Sequence, residues 1–120
     1  MSKAASAREW RFYIDDMLGF CERVLAFTKG ISLAEFVDDP MRYDATVRNI
    51  ELIGEAATHI PDTFRSTHAD MPWRMIIATR NQLIHGYVGI DDDVLWSIVQ
   101  TDIPVLLEQL RAIKKIAFIK

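Results

Sequence analysis

Apolar residues recur at helical spacing along most of this 120-residue chain. Positions three and four apart share one face of an α-helix, so such recurrence predicts helices that each bury one side. No alternating run is long enough to indicate a sheet. The pattern predicts an all-α fold, an antiparallel bundle of four to five helices. The apolar stripes comprise Trp10, Ile14, Met17, Cys21 and Val24; Tyr43, Val47, Ile50, Ile53 and Ala57; Trp73, Ile76, Ile77, Leu83 and Ile84; and Val94, Leu95, Ile98 and Val99, continued by Leu106, Leu107, Leu110 and Ile113.

Capping signals place the helix starts in the first half of the chain. Ser6-Ala-Arg-Glu9 and Ser32-Leu-Ala-Glu35 have the spacing of capping boxes, in which a serine and a glutamate satisfy backbone N–H groups reciprocally. Asp39-Pro40 predicts an N-cap followed by proline in the first turn. The helix that follows should end before Pro61. Residues 61–70 are polar and predict a short turn with a loop.

The second half has its own start and stop signals. Pro72 is expected at the start of the next helix, which Gly86 or Gly89 should end. Asp91 should cap the helix after that. Pro104 lacks a backbone donor, so we expect the last helix to kink or break near it, at 101–104.

Composition limits the class of protein. The length fits a single domain, residues 1–120, and half of the residues are apolar. No apolar stretch is long enough to span a bilayer, and residues 1–6 lack the apolar region of a signal peptide. Cys21 has no possible disulfide partner in the chain, which favours a cytoplasmic protein with a packed thiol. The net charge of −3 argues against broad nucleic-acid coating and leaves room for a local basic site.

The densest chemistry lies in residues 80–87, Arg-Asn-Gln-Leu-Ile-His-Gly-Tyr. Arginine is always charged and matches phosphate geometry, and histidine exchanges protons near neutral pH. That pairing suits acid–base chemistry on a phosphodiester. Arg80 and His85 are about 140° apart around an ideal helix, so one chain does not clamp a phosphate by itself. The alternative is a solvated helix end with a cation near its C-terminus, which the helix dipole favours.

This octapeptide and its surroundings resemble the HEPN superfamily, and within it the HepT-like toxins of prokaryotic toxin–antitoxin pairs. The family motif is Arg, four residues, His, any residue and Tyr, which here gives Arg80, His85 and Tyr87, with Asn81 after the arginine. Segments 44–57, 71–74, 90–96 and 102–104 also look like family segments in the same order. The resemblance covers roughly residues 8–112.

The resemblance implies a homodimeric, metal-independent endoribonuclease that needs no cofactor. Arg80 would hold the scissile phosphate, His85 would transfer protons, and Asn81 would orient His85 or the phosphate. One histidine cannot readily act as both base and acid, so a two-fold dimer with two copies of Arg80 and His85 in one cleft is expected.

The resemblance also implies regulation by a partner. A neighbouring minimal nucleotidyltransferase of the MntA type would act as antitoxin by transferring AMP to Tyr87. Two other readings stay open. The chain could be a non-catalytic helical binding partner of such a nucleotidyltransferase, or a degenerate structural dimer.

Other candidates are secondary. Glu55 and Arg74 are possible cleft-bordering residues, and Arg74 could add to a basic patch with Arg80. His59, at a helix end, could meet terminal carbonyls. The dispersed histidines indicate no metal site. Residues 91–93, three aspartates, are expected to serve a helix N-terminus rather than a cation.

Overall fold

In the part of the chain that the structure describes, the fold consists of four long helices, three short ones and a π-helical segment. The computed structural model describes residues 3–86 and 91–119, with side chains described for 9–84 and 91–116. Within those ranges there is no β-strand, which confirms the all-α prediction. The elements are α1 (Lys3–Thr28), α2 (Leu33–Val37), α3 (Pro40–Thr58), α4 (Asp62–Thr67), α5 (Trp73–Gly86), α6 (Asp92–Ser97), a π-helical segment (Ile98–Asp102) and α7 (Ile103–Ile119).

The core lies where α1 meets its neighbours. α1 packs against both α3 and α7, and α3 also packs against α5. The predicted apolar stripes supply most of the buried side chains, because each helix turns its apolar face inward. Ile84 and Val94 are exceptions, since 43% and 51% of their surface is exposed. The last turns of α5 and the first of α6 therefore leave apolar surface uncovered.

Three of the predicted caps form. Ser32 and Glu35 make the reciprocal capping box of α2, at 3.1 and 2.8 Å. Asp39 accepts a hydrogen bond from the Arg42 backbone N–H at 3.2 Å, directly before Pro40. Asp91 accepts one from the Val94 N–H at 2.8 Å. These bonds satisfy backbone donors that the first turn of a helix leaves unpaired.

Two local predictions were wrong. α1 begins at Lys3, so Ser6 lies inside the helix instead of capping it. Alanine is the strongest helix former, and Ala4 and Ala5 favour extension of the helix beyond the serine. Most of the predicted loop at 61–70 is the helix α4, which begins after Pro61.

Pro104 alters the last helix without interrupting it. The chain stays helical from Asp92 to Ile119, with the π-helical segment directly before the proline. In this segment the Ile103 N–H donates to the Ile98 carbonyl, five residues earlier. The predicted irregularity thus takes the form of a widened turn, and the predicted alternative of a break is wrong.

The single cysteine is part of the core. Cys21 is fully buried, and burial raises the pKa of its thiol to about 12. This confirms the packed thiol. In the part of the chain that the structure describes, no helix is both long and apolar enough to cross a membrane.

Candidate active site

Helix α5 carries Arg80 and lies very close to α3 where the two helices cross. Gly54 of α3 makes this approach possible. A Cβ placed on Gly54 would overlap the Arg80 Cβ, and would lie 2.8 Å from the Arg80 Cγ and 3.1 Å from the Ile76 carbonyl oxygen. The arginine stem therefore passes directly over the glycine. In the sequence, a glycine inside an apolar helical stripe was the available signal of such packing.

Arg80 is held by side chains on two sides. Its Nη2 donates a short hydrogen bond to Oε1 of Glu55, across the helix interface, and its Nη1 donates to Oδ1 of Asn81 at 2.7 Å. About 25% of the Arg80 side chain is exposed. The guanidinium thus keeps a fixed orientation and still has donors available, because it carries five N–H groups in all.

Glu55 is the ionic partner of Arg80. The hydrogen bond from Arg80 is the main reason that the pKa of Glu55 lies below its ordinary value, with a smaller opposing effect of desolvation and smaller contributions from the Arg80 charge and from His59. Its second oxygen, Oε2, is 3.3 Å from Nε2 of His59, one turn further along α3. A single carboxylate therefore joins a guanidinium and an imidazole.

His59 also contacts α1. Its ring stacks on Tyr13, with centroids 5.0 Å apart and planes 16° apart. We expected the His59 imidazole to contact carbonyls at the end of its helix. Its ring contacts the side chains of Glu55 and Tyr13 instead. Sequence reasoning missed the Tyr13 contact because the two residues are far apart along the chain. We call the group the Arg80 cluster, and it consists of Tyr13, Glu55, His59, Arg80 and Asn81.

The remaining motif residues are only partly visible. His85 belongs to α5, five residues after Arg80, but its side chain lies outside the described residues. Tyr87, the expected acceptor of AMP, also lies outside them. The structure therefore brings Arg80 and Asn81 together with Glu55, and their roles in catalysis stay predictions.

Arg74 occupies a different surface of the same helix. It is exposed in the first turn of α5, where it lines an open groove of about 850 Å³ between α4 and α5 together with Arg65. Arg80 lies six positions later, which corresponds to about 240° around an ideal helix. Within one chain, Arg74 is thus not part of the Arg80 cluster.

The other polar candidates have structural partners. Glu51 pairs with Arg48 at 3.2 Å. Asp91 caps α6, while Asp92 accepts a hydrogen bond from the Tyr43 hydroxyl at 2.8 Å. Burial and this bond raise the pKa of Tyr43 to about 12. Residues 9–84 and 91–116 contain no group of three His, Cys, Asp or Glu side chains placed to hold a metal ion.

The chain is similar to known proteins over most of its length. The family model "Ribonuclease HepT-like" matches residues 17–113. The chain is 39% identical over 103 residues to "Putative RNase TTE0752" of Caldanaerobacter subterraneus subsp. tengcongensis, covering 86% of this chain and 92% of that protein. It is 36% identical over 108 residues to "Probable ribonuclease HepT" of Thermococcus cleftensis, covering 90% and 98%. It is also 36% identical over 108 residues to "Putative RNase MJ1380" of Methanocaldococcus jannaschii, covering 90% and 99%. No solved structure matches the chain significantly.

Proposed function

The chain belongs to the HepT-like ribonuclease family, and from this premise we propose that it is a metal-independent endoribonuclease of a toxin–antitoxin pair. The observation that carries the proposal is the Arg80 cluster. It holds the Arg80 guanidinium in a fixed orientation, five residues before His85 on the same helix. Arginine presents a planar array of donors that suits a phosphodiester.

Arg80 would bind and neutralise the scissile phosphate. Its contacts with Glu55 and Asn81 fix the plane of the guanidinium before substrate arrives. A donor that is already oriented needs no reorganisation as negative charge grows on the phosphorane, which makes it more effective in the transition state. Asn81 would help to hold Arg80, from which it accepts a hydrogen bond.

His85 would transfer protons. In the proposed reaction the ribose 2′-oxygen attacks the adjacent phosphorus, and the bond from phosphorus to the 5′-oxygen breaks. One imidazole accepts the 2′-hydroxyl proton, and a second, protonated imidazole gives a proton to the departing 5′-oxygen. The products are a 2′,3′-cyclic phosphate and a 5′-hydroxyl.

This scheme requires two copies of His85, so we propose that the site is shared by a homodimer. A two-fold axis beside α5 would place both motif helices in one cleft. Two features support this placement: α5 is covered by α3 on one side, and the apolar side chain of Ile84, one turn after Arg80, is exposed. Such side chains gain stability from burial at an interface.

We further propose that a minimal nucleotidyltransferase silences the enzyme through Tyr87. The phenol oxygen would attack the α-phosphorus of ATP, pyrophosphate would leave, and the phenol proton would pass to a base of the partner. The added phosphate would place negative charge two residues from His85, where it would repel RNA and compete for Arg80.

Cleavage of RNA by purified variants tests the central proposal. We expect His85→Ala to lose cleavage because the proton carrier is gone, and Arg80→Lys to lose most of it because an ammonium does not reproduce the planar fork. Cleavage by the parent should survive EDTA. Thermal melting serves as the control for folding. If His85→Ala melts like the parent and still cuts RNA at the same rate, the assigned mechanism is wrong.

A further inference from the structure

Two stacked rings lie beside Arg80 and have no part in the proposed proton transfers. Tyr13 of α1 covers one face of the His59 imidazole, with ring centroids 5.0 Å apart. Half of the His59 side chain, 50%, is exposed. Tyr13 covers one face of this half-exposed ring, which leaves the opposite face as the surface on which another ring would stack. An aromatic pair thus lies within the Arg80 cluster.

The same imidazole is linked to Arg80 through Glu55. His59 Nε2 lies 3.3 Å from Oε2 of Glu55, and Oε1 accepts the hydrogen bond from Arg80. Imidazole and guanidinium are therefore separated by little more than one carboxylate group. In a nucleotide, base and phosphate are separated by one ribose. A phosphate on Arg80 would have its base within reach of the His59 ring.

We propose that Tyr13 and His59 form a platform on which one nucleobase of single-stranded RNA stacks while Arg80 binds the adjoining phosphate. The inference rests on the proposed ribonuclease function and names its substrate class. Unpaired bases commonly stack on aromatic side chains, whereas the bases of a duplex are already stacked on one another. The platform therefore selects single-stranded segments and discriminates little between the four bases.

RNA binding by proteins that cannot cut tests the platform. Fluorescence anisotropy with a labelled single-stranded RNA would be measured for His85→Ala, and for the parent with the 2′-O-methyl form of the same RNA. Adding His59→Ala is expected to raise Kd about 5- to 20-fold, the lower part of the range for a base stacked on an aromatic ring. His68→Ala is the matched control, because His68 also contacts an aromatic ring, Phe64, but lies at the end of α4 and is not the histidine that pairs with Glu55.

Two replacements separate stacking from charge. His59→Phe keeps a flat ring and loses the contact with Glu55, and its Kd should stay within about twofold of the parent value. His59→Lys supplies a positive charge without a ring and should bind as weakly as His59→Ala. Rescue by lysine but not by phenylalanine would overturn the platform, because charge alone would then explain the effect.

An abasic scan of the RNA provides a measurement that no folding defect can mimic. Removing the base at one position should raise the Kd of the protein that retains His59. For that abasic RNA, His59→Ala should cause no further increase in Kd. A scan without any sensitive position overturns the platform. Unchanged binding by His59→Ala also overturns it and leaves the ribonuclease proposal standing, whereas absence of RNA binding by every protein tested overturns both.

Discussion

Among single side chains, Glu55 controls how Arg80 is presented. It holds the guanidinium by an ionic hydrogen bond while 45% of its own side chain is exposed. A partly exposed pair of this kind contributes about 0.2–1 kcal/mol to stability, so its larger effect should be on the orientation of Arg80. We therefore expect Glu55→Gln to reduce the rate of RNA cleavage clearly and to lower the melting temperature only slightly. Glu51→Gln, one turn earlier on α3 and paired with Arg48, is the matched control.

The same pair predicts a dependence of stability on pH. Arg80 lowers the pKa of Glu55 in the folded chain. The stabilisation is fully present above the unfolded pKa of about 4.3 and is lost as pH falls through the lower folded value. The difference in melting temperature between the parent and Glu55→Gln should therefore shrink as pH falls below about 4. A difference that grows below pH 4 would contradict the assigned pairing.

Tyr87 is expected to be the acceptor of AMP among the three tyrosines. The hydroxyl of Tyr43 is engaged with Asp92, and its raised pKa makes it a poorer nucleophile. Tyr13 is stacked on His59. Incubation with the partner nucleotidyltransferase, ATP and magnesium, followed by peptide mass spectrometry, should find the adduct on Tyr87. Tyr87→Phe should stay unmodified and active, with Tyr43→Phe as control. Neutralisation of Tyr87→Phe through an adduct elsewhere would refute this assignment.

Some residue-level features could be predicted from sequence and others could not. The Glu51–Arg48 pair lies within one helix, at a spacing that the sequence displays. The contact between Glu55 and Arg80 spans 25 residues and depends on how α3 meets α5. Local spacing contains no information on that crossing. Glu55 was singled out as a possible cleft-bordering residue only through family resemblance.

Between elements, Gly54 sets the distance of α5 from α3. Gly54→Ala would place a methyl group against the Arg80 stem, and the neighbouring Ile76 carbonyl leaves it little room to move. We expect a loss of stability of about 1–3 kcal/mol from overpacking, with displacement of Arg80 and reduced cleavage. Urea denaturation and the RNA cleavage assay would measure the two effects.

Gly19→Ala is the matched control for this substitution. Gly19 also lies within a long helix, α1, but a Cβ there meets no atom within 4 Å in the part of the chain that the structure describes. Replacing it should stabilise the protein by about 0.5–1 kcal/mol, because alanine is the better helix former. Similar effects at both positions would show that helix propensity, and not the packing of α3 on α5, dominates at Gly54.

The elements were predictable where their signals are local. Ser32, Asp39 and Asp91 cap helices through bonds that span three residues. The helix α4 was missed because its polar sequence, Asp62–Thr67, has no apolar periodicity to indicate it. The π-helical segment was foreseen only as an irregularity, since Pro104 shows that a donor is absent but not how the chain accommodates it.

For the whole molecule, the shared site makes cleavage depend on both chains. Arg80→Ala and His85→Ala chains are each expected to be inactive. Mixing them after denaturation and refolding should give about half heterodimers, whose cleft contains one intact Arg80 and one intact His85. Because the proposed proton transfers need two copies of His85, we expect no recovery of cleavage, measured against each variant refolded alone. Recovery would mean that one histidine is sufficient. A monomer with full activity, identified by light scattering, would contradict the shared site.

The buried thiol of Cys21 can report on transient opening of the folded structure. The thiol is completely shielded in α1, the helix in contact with both α3 and α7. A thiol reagent reacts with the ionised sulfur, so labelling requires a transient opening that exposes Cys21 and restores an ordinary acidity. Under conditions in which reclosing outpaces labelling, the labelling rate follows the population of the open form. Labelling rates would therefore rank the variants by stability without denaturant and without any assay of RNA.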